Sequence, residues 1–168
     1  MKWSRNEIVG TNNGNISFSE DVAIDPKEFA ETSLINGVKQ VHAEGRGYLD
    51  QETEKFYSSM NISGIMLCPD AITGEEIEYP FETDAEDVWS FDPTDEEDVR
   101  VVTNDVIDLL PAVIDAVIME APLQVTEAAP EDYPSGEGWR VISEEEYQRS
   151  KDEEIDSRLA VLKKFRQE

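Results

Sequence analysis

The chain has 168 residues, of which 39% are apolar, enough for the core of one ordinary domain. Its 39 acidic side chains against 14 basic ones leave a formal charge of −25, a field that repels phosphate backbones and disfavours extensive direct binding of RNA or DNA. The apolar runs are too short for a membrane-spanning helix, Met1-Lys2-Trp3-Ser4-Arg5-Asn6-Glu7 lacks the apolar stretch of a signal peptide, and Cys68 has no second cysteine to pair with, so a cytoplasmic protein without disulfides is expected.

In chain order, Ile16, Phe18, Val22 and Ile24 alternate with Ser17, Ser19, Asp21 and Ala23, the period of a half-buried strand. Asp25-Pro26 stops it. With Asp25 as N-cap and Pro26 at the first helical position, a short helical turn is expected within 27–34. Further on, Val41, Ala43, Gly45, Gly47 and Leu49 share one face, while His42, Glu44, Arg46 and Tyr48 share the other. The small residues predict close packing or curvature. Lys55 to Cys68 alternates Phe56, Met60, Ile62 and Met66 with Tyr57, Asn61 and Ser63, a long strand expected to run antiparallel to its predecessor.

A turn-rich stretch, 69–74, leads to the clearest alternation in the chain. Ile77, Tyr79, Phe81, Thr83 and Ala85 oppose Glu76, Glu78, Glu82, Asp84 and Glu86, which predicts a sheet with one buried face and one face lined with carboxylates. Pro80 lies on the outward parity and lacks a backbone N–H, so it predicts a strand edge or a bulge.

The acidic run Asp92, Asp95, Glu96, Glu97 and Asp98 has no apolar side chain to bury, and 92–104 is read as an exposed, mobile loop. Val106, Leu109, Leu110, Val113, Ile114, Val117 and Ile118 then recur at helical spacing. They predict a helix within 105–123 that covers the sheet, with Asp108 as cap and Pro111 in the first turn. Prolines and glycines make 124–142 a loop. Ser143 and Glu146 form a capping-box pattern, and Ile155, Leu159, Leu162 and Phe165 form an apolar stripe, so 143–168 is read as a C-terminal helical region. Its acidic Asp152-Glu153-Glu154 and basic Lys163, Lys164 and Arg166 match the helix dipole. The fold class is therefore α+β: a curved antiparallel sheet of about four strands from 1–91, a covering helix and a C-terminal helix, within a single domain of 1–168.

Chemistry is weakly represented. Cys68 and His42 are the only soft metal ligands, too few for a structural zinc site, and the acidic run lacks the alternating ligands and central glycine of an EF-hand loop. Gly45-Arg46-Gly47 lacks the third glycine and following helix of a dinucleotide fingerprint. Nothing in the spacing places His42 beside Cys68 as a base, and carboxylates are too abundant for any pair to be singled out. No catalytic residue, metal or cofactor is expected, and a binding or assembly protein is the reading.

Four blocks in order carry a further signal: Met1-Lys2-Trp3-Ser4; Met66-Leu67-Cys68-Pro69-Asp70-Ala71-Ile72 with Glu78-Tyr79-Pro80-Phe81; Ile107-Asp108-Leu109 opening an apolar stretch that closes at Glu120-Ala121-Pro122-Leu123; and Asp156-Ser157-Arg158-Leu159-Ala160-Val161-Leu162. Together they resemble the YceD proteins of bacteria and plastids, the large ribosomal RNA subunit accumulation proteins. Cys68, Pro80, Phe81, Asp108, Leu109, Pro122, Asp156, Arg158 and Leu159 sit at motif positions of that family. The chain departs from many members in carrying Asp70 where they have an arginine and in having no cysteine in 124–138. The resemblance implies a role in making or stabilising large-subunit ribosomal RNA, with no enzyme activity.

Charge complementarity adds a partner class. A chain of −25 is expected to meet rRNA indirectly, through basic ribosomal proteins, using Glu76, Glu78, Glu82, Asp84 and Glu86 together with Asp92, Asp95, Glu96, Glu97 and Asp98. One alternative is a direct RNA binder that gathers Arg46, Arg140, Arg158, Lys163, Lys164 and Arg166 on one face. The other is an enzyme acting through Cys68, which needs an exposed thiol with a base beside it.

Overall fold

The structure, a computed structural model, describes residues 1–153, without the side chains of Asn12, Asp152 and Glu153. Contacts divide the chain into a first compact unit, Met1–Val125, and a second beginning at Thr126.

The first unit opens with β1 (Lys2–Ser4) and a one-and-a-half-turn helix, α1 (Arg5–Gly10). Ser4 starts that helix through a capping box: its hydroxyl accepts from the Glu7 amide at 3.4 Å, while the Ser4 amide donates to Glu7 Oε2 at 2.7 Å. Next come β2 (Asn15–Val22), β3 (Gly37–Asp50), β4 (Lys55–Pro69), β5 (Glu76–Ser90) and β6 (Val99–Val101), forming one sheet in the order β2-β3-β4-β5-β6. Between β2 and β3, Asp25 caps a 3₁₀ turn over Pro26–Phe29 by accepting from the Lys27 amide at 2.9 Å, shorter than the expected turn but with the expected cap and proline.

The pairings from β2 to β5 are antiparallel, with Asp21 opposite His42, Tyr48 opposite Tyr57 and Asn61 opposite Asp84. Two elements in the middle of the chain differ from expectation. The acidic stretch 92–104 contains β6, and β6 pairs with β5 in parallel. Val106 belongs to a short strand, β7 (Val106–Asp108), which pairs with β1, so the covering helix α2 begins only at Leu110 and runs to Glu120. Asp108 still serves the helix start, accepting from the Leu110 amide at 3.1 Å, and its carboxylate also takes the Lys2 ammonium at 2.9 Å. The helix stops where Pro122 forces Ala121 into an extended conformation (φ −58, ψ 126).

Alternation puts Val41, Ala43, Leu49, Phe56, Met60, Ile62, Met66, Cys68 and Phe81 on the inner face, in one core with Ala112, Val113 and Val117 of α2 and with Ile8, Ile107 and Leu109. Each large side chain sealed there is worth about 2 kcal/mol in transfer free energy. Gly47 is needed for closeness: a Cβ on it would lie 2.0 Å from the Phe56 ring. Along β5, β6 pairs only with Val88–Ser90, so among the described residues the outer edge of Glu76–Asp87, which includes Pro80, has no strand neighbour.

The second unit holds a 3₁₀ turn over Pro130–Asp132, a two-strand hairpin of β8 (Ser135–Gly136) and β9 (Trp139–Arg140), and α3 (Glu144–Glu153). Ser143 caps α3 as its pattern predicts, accepting from the Glu146 amide at 3.1 Å, and Arg140 pairs with the Glu146 carboxylate. The stripe of Ile155, Leu159, Leu162 and Phe165 lies outside the described residues, as do Glu154, Asp156, Arg158, Lys163, Lys164 and Arg166.

Candidate functional site: the open face of the sheet

The sheet has one face on the core and one face open, and the register sets the open-face side chains in rows. One row runs Asn15, Tyr48, Tyr57, Val88; the next Ser17, Arg46, Ser59, Glu86; then Ser19, Glu44, Asn61, Asp84; then Asp21, His42, Ser63, Glu82. The expected carboxylates Glu76, Glu78, Glu82, Asp84 and Glu86 are all exposed, on the outward parity that alternation assigns them. They are not equivalent. Lys39 pairs with Glu78. Asn61 stands between Glu82 and Asp84 and donates from Nδ2 to Glu82 Oε1 at 3.2 Å and to Asp84 Oδ1 at 3.1 Å. No ion pair to Glu86 forms among the described residues.

The acidic run is anchored at Asp92 and at Glu96. Ser90 donates to the Asp92 carbonyl at 2.7 Å, and Lys55 Nζ reaches both Glu96 oxygens, at 2.8 and 3.0 Å. That hydrogen bond, followed by the charge attraction, lowers the Glu96 pKa and raises that of Lys55. Asp92, Asp95, Glu97 and Asp98 are exposed. Only Asp98 of this run joins the strand carboxylates in a shared depression, a cavity of about 700 Å³ lined by Arg46, Tyr48, Tyr57, Ser59, Glu86 and Asp98 among others.

Two features of this face lay beyond sequence reasoning. Tyr48 and Tyr57, each placed outward by alternation, become direct cross-strand neighbours, 46% and 42% exposed. Beside them Arg46 forms no ion pair among the described residues. The second is a relay: Ser19 Oγ and His42 Nε2 share a hydrogen bond at 3.0 Å, and His42 Nδ1 meets Asp21 Oδ1 at 2.7 Å. Its connectivity is that of a nucleophile, a base and an orienting acid. The Asp21 side chain, however, is 94% exposed, so it holds the ring far less firmly than a buried carboxylate would, while the three side chains link β2 to β3 across the open face. The β3–β4 register places the tyrosines together, and the β2–β3 register places Ser19 and Asp21 beside His42.

Cys68 faces the core from β4 while His42 faces solvent from β3, so the two lie on opposite faces of the sheet. Burial pushes the Cys68 thiol pKa up, away from the thiolate form. The other motif positions are structural where described: Phe81 and Leu109 are in the core, Pro80 is exposed on β5, and Pro122 ends α2. Asp70 is buried and shapes the β4–β5 turn by accepting from the Ile72 and Thr73 amides at 2.7 and 3.0 Å. Of the bases in the RNA-binding alternative, Arg46 lies in the first unit and Arg140 in the second, and the rest are outside the described residues. Among the described residues no group of His, Cys, Asp and Glu is arranged to hold a metal, and no helix is long and apolar enough to cross a membrane.

These features define an α+β protein whose first unit centres on a five-stranded sheet, packed on the core on one side and presenting carboxylates and neighbouring tyrosines on the other. The family described as "Large ribosomal RNA subunit accumulation protein YceD" matches residues 59–166. The chain is also similar to a Bacillus subtilis (strain 168) protein described as "Uncharacterized protein YlbN", 31% identical over 176 residues that cover 98% of this chain and 96% of that one. The chain belongs to the YceD family. No solved structure matches it.

Proposed function

We propose that this chain is a non-enzymatic factor in large-subunit ribosomal RNA accumulation that works in the cytoplasm by docking basic ribosomal proteins. The family description supports the ribosome-related role. One observation carries the mode of action: the open face of a chain with formal charge −25 keeps Glu44, Glu82, Asp84 and Glu86 exposed in adjacent rows. Such a field attracts a positively charged protein and raises its encounter rate, while it opposes a phosphate backbone. A non-enzymatic reading is supported by the buried Cys68 thiol and by the exposed Asp21 of the Ser19–His42–Asp21 group.

A pull-down from purified large-subunit proteins, repeated at rising ionic strength, tests the docking. Capture of basic ribosomal proteins that fades with salt is expected, and tight binding of naked rRNA at physiological salt would overturn it. Depleting the protein and sedimenting ribosomal particles tests the role itself, because an unchanged ratio of large to small subunits would remove it.

A further inference from the structure

Within the open face, one place has the chemistry to grip a particular side chain. We propose that the depression between Tyr48, Tyr57, Glu86 and Asp98 seats an arginine-bearing segment of a basic protein; this rests on the docking reading above and names where the partner is held.

The two tyrosines stand side by side across β3 and β4 with their rings half exposed, an arrangement that leaves large aromatic faces in water unless a partner covers them. A guanidinium is the cation that suits them, because it is planar, weakly hydrated, stacks on aromatic faces and offers a fork of donors to a carboxylate. Glu86 and Asp98 supply those carboxylates from the β5 side of the same cavity, and neither forms an ion pair among the described residues. The volume of about 700 Å³ accommodates an arginine side chain with part of its backbone.

Arg46 gives the site a direction. It lies on β3, and Ser59 of β4 separates it from Glu86 on β5, so the cavity is positive toward β3 and negative toward β5. An incoming guanidinium is steered to the β5 side, and the carbonyl oxygens of its own chain meet Arg46. A nucleic acid would use the same groups differently, stacking bases on the tyrosines with a phosphate at Arg46. That occupant fits worse, since one cation must then offset Glu44, Asp84, Glu86 and Asp98 around it.

The test uses the full chain and three fluorescent probes, hexa-arginine, hexa-lysine and hexa-uridine, at an ionic strength of about 0.15 M, where exposed charges are screened beyond about 8 Å. Hexa-arginine is expected to bind best. Replacing Tyr48→Ala with Tyr57→Ala leaves the net charge unchanged, so the expected loss of about tenfold in hexa-arginine affinity reports stacking and not diffuse attraction. Tyr48→Phe with Tyr57→Phe retains the affinity, which separates loss of the rings from loss of the fold, and far-ultraviolet circular dichroism checks each variant. Glu86→Gln with Asp98→Asn weakens hexa-arginine more than Glu76→Gln with Glu78→Gln, which removes the same charge elsewhere on β5. Equal weakening by the two charge pairs with no effect of the tyrosine pair overturns the seat and leaves the docking reading standing. Failure of the unaltered protein to bind either cationic probe overturns both. Tighter binding of hexa-uridine than of hexa-arginine, abolished by Arg46→Ala, replaces the proposal with an RNA platform.

Discussion

The guanidinium of Arg100 lies 5.4 Å above the ring centroid of Trp89, and from that position it donates to Asp87 Oδ1 through Nε and to Asp115 Oδ2 through an Nη, both at 2.7 Å. One side chain on β6 thus ties β5 to α2. Burial works against its charge, but the hydrogen bonds it donates to Asp87 and Asp115, with their charge attraction, outweigh it and raise the Arg100 pKa. Replacing Arg100→Lys keeps the charge and loses the planar fork, and is expected to cost about 1–3 kcal/mol in urea unfolding. Stability equal to the parent chain would show that the bridge contributes nothing net.

Gly47 and Gly10 should respond in opposite ways to alanine. At Gly47 the new methyl meets the buried Phe56 ring at 2.0 Å, and overpacking of this kind costs about 1–3 kcal/mol. At Gly10, in α1, nothing lies within 4 Å, and alanine is expected to be neutral or to stabilise by up to about 1 kcal/mol. Thermal unfolding of the two variants measures both; a destabilised Gly10→Ala alongside an unaffected Gly47→Ala would contradict the packing described.

The Glu7 carboxyl is held below its ordinary pKa first by the Ser4 hydroxyl and then by the Ser4 amide. A depressed folded-state pKa contributes stability that is present above the unfolded value and is lost as pH falls through the folded one. Acidification also relieves the self-repulsion of a −25 chain, so the total stability is a poor readout. The informative quantity is the gap between the parent protein and Glu7→Gln. It is expected to be open at neutral pH and to close on descending through and below the normal carboxylate range. A gap that stays constant with pH would refute the capping role.

Cys68 should react with a disulfide reagent at least about a hundredfold more slowly in the folded chain than in urea at the same mildly alkaline pH, because the thiol is buried and its ionisation suppressed. Rapid labelling of the native protein would favour the enzyme alternative.

The parts of the fold that sequence made legible are those in which each residue's neighbours repeat a period. The outward set Glu76 to Glu86 and the inward set Phe56 to Met66 follow from alternation, and the Asp25-Pro26 start follows from cap chemistry. The missed elements depend on partners far away in sequence. β1 exists through Val106–Asp108, and β6 through Val88–Ser90, and three-residue strands carry no period of their own. Val106 fits the helix pattern because an apolar residue three before Leu109 satisfies helical spacing whatever its real conformation. Ser4-Arg5-Asn6-Glu7 did contain a readable capping box before Ile8. At the candidate site the constituents are legible, since alternation puts Arg46, Tyr48 and Tyr57 on the face opposite to the apolar residues of their strands. Their adjacency is not, because a shift of one residue in register would separate the rings.

The bare flank of β5 has a bearing on self-recruitment. From Glu76 to Asp87 the outer edge of a long strand has no strand neighbour among the described residues, the template on which a second molecule could lengthen the sheet into a filament. Pro80 removes one donor from the middle of that template, and the carboxylates on either side repel an identical strand arriving alongside it. The first safeguard is covalent and the second is electrostatic, so near the isoelectric point of about 4.1 the second weakens as carboxylates take up protons while the proline is unchanged.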